Sequence, residues 1–175
     1  MKSIQFILLN ILLWASVIAH SQNDSVYVAK LTDDMEGKSF YTPSRKMVCA
    51  KQDRKTGFSV SAFLDYNNGD VAVDELKIRM VNIGGCSENT EIIILFTDST
   101  KITLTSWNEF NCKGDAWFKL SKPDKEKLST VKIKKIKVQN GRTYESYTHT
   151  LVEDNDYFIQ LFYAVKNKKI KEEKE

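Results

Sequence analysis

The segment Trp107-Asn108-Glu109-Phe110-Asn111-Cys112, with Trp117 close behind, comes nearest to a binding surface by residue type. An aromatic ring offers a flat apolar face, and Asn and Glu beside it offer hydrogen bonds. A sugar or a peptide needs both. Strand parity places Trp107 with Thr103 and Thr105, opposite Ile102 and Leu104. If that face is wet, Trp107, Asn108, Phe110 and Trp117 form a ligand surface. If both sheet faces are covered, Trp107 is core, since large aromatics are buried on average.

The other candidate chemistries are thinner. His149 is the only histidine beyond the first 20 residues, and no nucleophile elbow or orienting carboxylate lies near it in sequence. It reads as a surface residue at a strand end. Cys49, Cys86, Cys112 and His149 make a formal Cys3His set, but structural zinc sites show paired ligands at short spacing, and none occurs here. Asp65-Tyr66-Asn67-Asn68-Gly69-Asp70 has the look of a calcium loop, yet its sixth residue is Asp70 rather than Gly, and the twelfth is Leu76 rather than Glu. A hairpin turn explains the same residues. Two acidic clusters could supply a glycosidase pair: Asp33, Asp34 and Glu36, and Glu153, Asp154 and Asp156. Both sit where acids are common for capping and solvation. Gly84-Gly85-Cys86 lacks the spacing and the following Lys of a phosphate loop. No catalytic residue, cofactor or metal is therefore assigned.

The stretch from Ile4 to Ala19 is apolar, follows Lys2, and ends in Ala19-His20-Ser21. That is the tripartite pattern of a secretory leader, with residues 1–21 removed between Ser21 and Gln22. The run is short and interrupted for a membrane span, which needs about 20 apolar residues. No Cys stands at the cleavage site to accept a lipid, and no second hydrophobic run follows. The expected protein is periplasmic or secreted, without stable membrane insertion after cleavage. The whole chain carries a formal charge of +3, far from the basic excess of a dedicated nucleic-acid binder. Asn23-Asp24-Ser25 is a formal glycosylation sequon. Among the three cysteines, Cys49 lies in an apolar run and reads as a small buried hydrophobe. Cys86 and Cys112 lie in Gly- and Asn-rich loops and are the pair expected to form a disulfide.

The elements that would position these residues are mostly strands. Phe58, Val60, Ala62 and Leu64 alternate with Ser59 and Ser61, with Phe63 as an exception on the wet face. Leu76, Ile78 and Met80 alternate with Glu75, Lys77 and Arg79. Further strands are read over residues 25–31, 46–51, 92–96, 101–106, 116–120, 131–138 and 142–149. In 131–138 the apolar phase slips between Ile133 and Ile136, which a β-bulge at Lys134-Lys135 repairs. Lys132, Lys134, Lys135 and Lys137 then read as protection of an edge strand. Asn140-Gly141 is taken as the strongest hairpin signal. Ser121-Lys122-Pro123-Asp124 opens a short helical turn. A C-terminal amphipathic helix over 155–167 follows from Phe158, Leu161, Phe162 and Val165. The predicted fold is mainly β: an antiparallel sandwich or barrel of about eight or nine strands with one C-terminal helix. It forms a single domain over 22–165, and a charged tail over 168–175 reads as a frayed helix end.

Three runs carry a resemblance: Leu76-Lys77-Ile78-Arg79-Met80-Val81-Asn82, Ile92-Ile93-Ile94-Leu95-Phe96-Thr97-Asp98, and Lys132-Ile133-Lys134-Lys135-Ile136-Lys137-Val138. Their layout is similar to that of uncharacterised small signal-peptide-bearing exported proteins of Gram-negative bacteria. The resemblance implies export and transfers no catalytic residue. The function class that fits is an exported, non-enzymatic binding or interaction module with a protein or glycan partner. A β-barrel carrier of a small apolar ligand and a hydrolase assembled from distant residues are the alternatives. Mass spectrometry of protein recovered from an exported fraction should give a chain starting at Gln22 with one thiol after denaturation. A retained leader or three thiols would contradict this reading.

Overall fold

Alternating apolar and polar residues over half the chain dictate strands with one buried and one wet face, and the computed structural model builds two packed sheets from them. It describes residues 25–33, 35–52 and 55–173. The expected cleavage site at Ser21 and Gln22, and Asn23 of the sequon, lie outside the described residues.

The strands are β1 (Val28–Thr32), β2 (Ser39–Pro43), β3 (Met47–Ala50), β4 (Gly57–Asn67), β5 (Asp70–Val81), β6 (Glu91–Phe96), β7 (Lys101–Thr105), β8 (Asp115–Lys119), β9 (Ile133–Gln139), β10 (Ser146–Thr150) and β11 (Ile170–Glu173). The helices are α1 (Lys122–Thr130) and α2 (Tyr157–Lys166). Two four-stranded sheets, ordered β3-β4-β5-β8 and β10-β9-β6-β7, make the sandwich, and a three-stranded sheet β11-β1-β2 stands beside them. The sandwich is open and not a closed barrel. Val60, Ala62, Leu76, Ile78, Ala116 and Phe118 of the first sheet share one apolar core with Ile92, Ile94, Phe96, Ile136 and Val138 of the second. Phe58 of β4 meets Tyr147 of β10 edge to face across the layer.

Two strands escape the alternation pattern. β11 has no apolar face to announce it, and β2 turns only Tyr41 and Pro43 inward, too few to show a period. All four residues of β11 are exposed, and it pairs in parallel with β1. The expected frayed helix end is therefore a strand, held by backbone bonds to an open edge and by the Lys30–Glu172 ion pair at 3.0 Å. Its side chains bury nothing, so periodicity could not reveal it.

Turn chemistry is also redistributed. Asn68 and Gly69, at φ 52° and 89°, form the two-residue turn of the long β4–β5 hairpin, as a pair tolerant of left-handed backbone should. Asn140-Gly141 does not make such a turn. The β9–β10 connection runs over residues 140–145, and its left-handed residue is Tyr144. The Asn140 side chain is fully buried. Its amide Nδ2 donates toward the carbonyls of Ile83, Gly84 and Cys86 at 3.2, 2.9 and 3.1 Å. Its Oδ1 accepts from the N–H groups of Arg142 and Thr143. Gly141 is required by space: a Cβ there would stand 2.1 Å from the Asn89 carbonyl oxygen.

The bulge at Lys134-Lys135 is present: Leu95 pairs with Lys135 while Phe96 pairs with Ile133, leaving Lys134 as the extra residue. β9 lies between β10 and β6, so its lysines coat the wet face of an interior strand and do not guard an edge. Ser121 and Asp124 cap α1 reciprocally. In α2, Phe158 and Leu161 are buried as expected, Phe162 and Val165 only partly. Tyr157 and Ala164 complete the buried stripe. The Tyr157 hydroxyl donates to the Arg45 carbonyl at 2.7 Å. Asp154 pairs with Arg45 Nη1 at 2.7 Å instead of capping the helix.

Asn140→Ala removes the amide that serves the 83–86 loop and leaves buried carbonyls unpaired. Each such group costs about 1–3 kcal/mol, so the unfolding free energy should fall by an amount in that range or above, read as a lower urea midpoint. An unchanged midpoint would mean that the loop closes without Asn140.

Candidate functional site

Antiparallel register fixes which side chains meet on the outer face of β3-β4-β5-β8. Val48, Ser59, Arg79 and Asp115 form one row across the four strands. Ser61, Lys77 and Trp117 form the next, and Phe63, Glu75 and Lys119 the one beyond. A second bulge, with Phe63 opposite Glu75 and Leu64 opposite Val73, lets Leu64 and Val73 return to the core while Phe63 stays outside.

The aromatic side chains gather at one edge of this face. Phe63, 47% exposed, meets the half-buried Trp117 ring edge to face at 5.8 Å between centroids. Lys77 Nζ lies 4.6 Å from the Trp117 centroid, an attraction of about 0.5–1 kcal/mol at an exposed site. Trp107 is 55% exposed, and its N–H donates to the Trp117 carbonyl at 3.0 Å. Lys119 Nζ stands 5.7 Å from the Trp107 ring. The reading of Trp107 as core is thus corrected: among the described residues no element covers its face, and Lys119 is its ring's neighbour.

Asn108 acts differently from the expectation. Its Oδ1 accepts from the Trp117 N–H at 2.7 Å, and its Nδ2 donates to the carbonyls of Glu109 and Asp115. Asn111 also donates to the Asp115 carbonyl, at 2.7 Å. Both amides are spent pinning the loop before β8, so Asn108 positions Trp117 and is not poised for a ligand. Phe110 is exposed, but its ring faces Arg142 at 5.1 Å, in the β9–β10 loop. Of the four residues expected to form the surface, Trp107 and Trp117 come together with Phe63, Lys77 and Lys119. The sequence signal for Phe63 was its place on the wet side of an otherwise regular alternation.

Beyond Trp117 the face becomes cationic and hollow. Lys46, Ser59, Ser61, Lys77 and Arg79 line a depression of about 170 Å3. It runs into a groove of about 670 Å3 that shares Lys46, Ser59 and Arg79 and adds Val48, Lys51 and Val81 among its walls. Asp115 sits at the end of the row. Arg79 grips it through Nε and Nη2 at 2.7 and 2.9 Å, and Lys77 lies 3.8 Å away. The Arg79 hydrogen bonds, against a smaller opposing effect of burial, hold the Asp115 carboxyl below its usual range.

Other sequence candidates are placed elsewhere. Cys86 and Cys112 form the disulfide. Cys49 is a free thiol, buried on β3, and burial pushes its pKa up to about 12. His149 is the penultimate residue of β10, at a strand end as expected, but it is half-buried. It lies opposite Ile136 with its ring near Tyr147, and burial lowers its pKa. Its ring makes no hydrogen bond or ion pair among the described residues. Asp33 accepts from the N–H groups of Met35 and Glu36 within its own turn, and Glu36 pairs with Lys38. In the second cluster Asp154 is bound to Arg45, and Asp156 accepts from Gln160 Nε2 at 2.9 Å, while Asp34 of the first lies outside the described residues. No group of three or more metal-ligating side chains occurs among the described residues. No helix among them is long and apolar enough to cross a membrane.

No family model, curated protein or solved structure matches the chain. The site therefore stands on its own residues.

Asp115 carries a pH prediction. A carboxyl whose folded pKa lies below its unfolded value contributes fully above the ordinary value of about 3.9, and the contribution disappears as pH falls through the folded value. Asp115→Asn should destabilise the fold near pH 7 by up to about 1 kcal/mol, and the gap from wild type should narrow as the pH falls below the ordinary carboxyl range and through the folded value. A gap independent of pH would mean that the carboxylate charge is not what matters there.

Proposed function

We propose that the protein is an exported, non-enzymatic binding module that takes a carbohydrate on the outer face of β3-β4-β5-β8. The observation that carries this reading is the Trp117–Phe63 pair, set among hydroxyls and charges on a face that no other element covers among the described residues. A sugar ring has one apolar face of C–H groups and a rim of hydroxyls. It therefore needs an exposed aromatic surface next to hydrogen-bonding side chains. The exposed Phe63 ring, edge to face with Trp117, meets that need beside Ser61, Lys77 and Glu75, while Lys77 lies over the Trp117 ring. A protein partner would call for something else, because the cores of protein interfaces are depleted in charged side chains. Here every row carries a charged side chain: Arg79 and Asp115 in the first, Lys77 beside Trp117 in the second, Glu75 and Lys119 beside Phe63 in the third.

Export is supported by the leader pattern of residues 1–21 and by the Cys86–Cys112 disulfide, which persists in oxidising compartments. The carrier alternative needs a barrel mouth, and the open sandwich offers none. The hydrolase alternative has no support from the surroundings of His149 or of the acidic clusters.

Trp117→Ala and Phe63→Ala test the proposal. Each should weaken retention on an immobilised polysaccharide by about tenfold or more, equivalent to roughly 1.4 kcal/mol. The disulfide and the Asn108 clamp are untouched, so near-wild-type thermal unfolding is expected. Full retention in both variants, or no retention of the wild type on any polysaccharide, overturns the proposal.

A further inference from the structure

The hollow that continues from Trp117 differs in chemistry from the aromatic edge. Every ionisable group on its walls is cationic: Lys46, Lys51, Lys77 and Arg79 line the depression and the groove, and no acidic side chain lines either among the described residues. The chain as a whole is nearly balanced, at +3 over 26 basic and 23 acidic residues. The sign of the groove is therefore a local arrangement and not a reflection of overall charge.

The cations differ in what they leave free. Arg79 is already engaged, two nitrogens on Asp115, and Lys77 shares that carboxylate while covering the Trp117 ring. Lys46 and Lys51 have no ion-pair partner among the described residues, and both are exposed. Lys46 stands where the depression and the groove meet, beside the Ser59 and Ser61 hydroxyls of the depression. An ammonium flanked by hydroxyls offers a carboxylate one strong charge-assisted bond and further donors for its second oxygen. The fork geometry that favours bidentate oxyanions is available only from Arg79, and Asp115 fills it.

We infer that the groove receives the carboxylates of an acidic polysaccharide, a uronate polymer whose sugar rings lie along the sheet from Trp117 towards Val48. This rests on the carbohydrate reading and adds the substrate class. One sugar stacks at Trp117 and Phe63. Lys46 takes the carboxylate of a neighbouring sugar, and the apolar floor at Val48 and Val81 carries the chain onward. Between exposed partners such attraction is screened at high ionic strength, so binding depends on salt.

Affinity electrophoresis of the full chain through gels holding polygalacturonate, its methyl ester, neutral dextran or dextran sulfate tests the inference. The expected result is retardation by polygalacturonate that falls about tenfold with the methyl ester and declines with added salt. Lys46→Gln should reproduce the loss on polygalacturonate without changing the melting temperature, because the side chain is exposed. Equal retardation by the ester, or an unaffected Lys46→Gln variant, overturns the inference. Retardation by dextran equal to that by polygalacturonate and abolished by Trp117→Ala overturns it too, while leaving the carbohydrate reading intact. Retardation by dextran sulfate alone, unaffected by Trp117→Ala, denotes charge-driven polyanion binding and overturns both. No retardation by any polymer also overturns both.

Discussion

The Cys86–Cys112 disulfide ties together two of the segments by which the chain passes between the sheets of the sandwich. One leads from β5 to β6, the other from β7 to β8. A bridge closing a loop of 26 residues stabilises by roughly 3 kcal/mol on the chain-entropy account. Its larger effect is positional. Ser87 and Asn111 exchange backbone hydrogen bonds next to it, at 2.7 and 3.0 Å. The Ser87 hydroxyl and the amides of Asn108 and Asn111 all converge on the Asp115 carbonyl. β8 is thereby fixed against β5 in the register that brings Lys77 opposite Trp117 and Arg79 opposite Asp115. Asn140 performs the same service from the second sheet, holding residues 83–86 from beneath.

The outer face gains little stability from its own contacts. Arg79 is about half exposed, and ion pairs in such surroundings contribute up to about 1 kcal/mol. The core beneath, with Ile78, Leu76, Ala116 and Phe118 fully buried, supplies the rigidity. This division suits a binding surface. Exposed side chains such as Phe63 and Arg79 carry few packing duties, and the strands under them are anchored by the buried core. The same reasoning explains why the surface lies on β-strands and its support on loops: the loops hold position through buried polar groups such as Ser87, Thr90, Ser106 and Asn140.

The sandwich architecture was legible because burial leaves a period. Phe58 to Leu64 and Leu76 to Met80 alternate in sequence as they do in space, and the slipped phase around Lys134 marks a real bulge. Strands with little or no apolar face left no trace, as in β2 and β11. Asn140 misled for a physical reason: a residue type favoured in tight turns is also a good buried amide, and only tertiary contact tells the two apart. At the candidate site, Trp107 and Trp117 stood out by type, and Phe63 by its place on the wet side of a regular alternation. That Phe63 and Lys77 meet Trp117 did not, since the pairing of β4 with β5 and of β5 with β8 brings them together. Spacing along one strand carries no information about the strand beside it.

Cys49 bears on how the bridge persists. A free thiol can exchange with a disulfide, and joining Cys49 to Cys86 would tether β3 to the end of β5 and leave the inter-sheet crossings loose. The fold prevents this by geometry. β3 pairs with β4 in a register that places Cys49 opposite Phe58, with Cys49 buried in the core. Only the thiolate attacks a disulfide, and burial suppresses that form. Once the two sheets have packed, Cys49 is withdrawn from exchange, and the Cys86–Cys112 pairing is preserved.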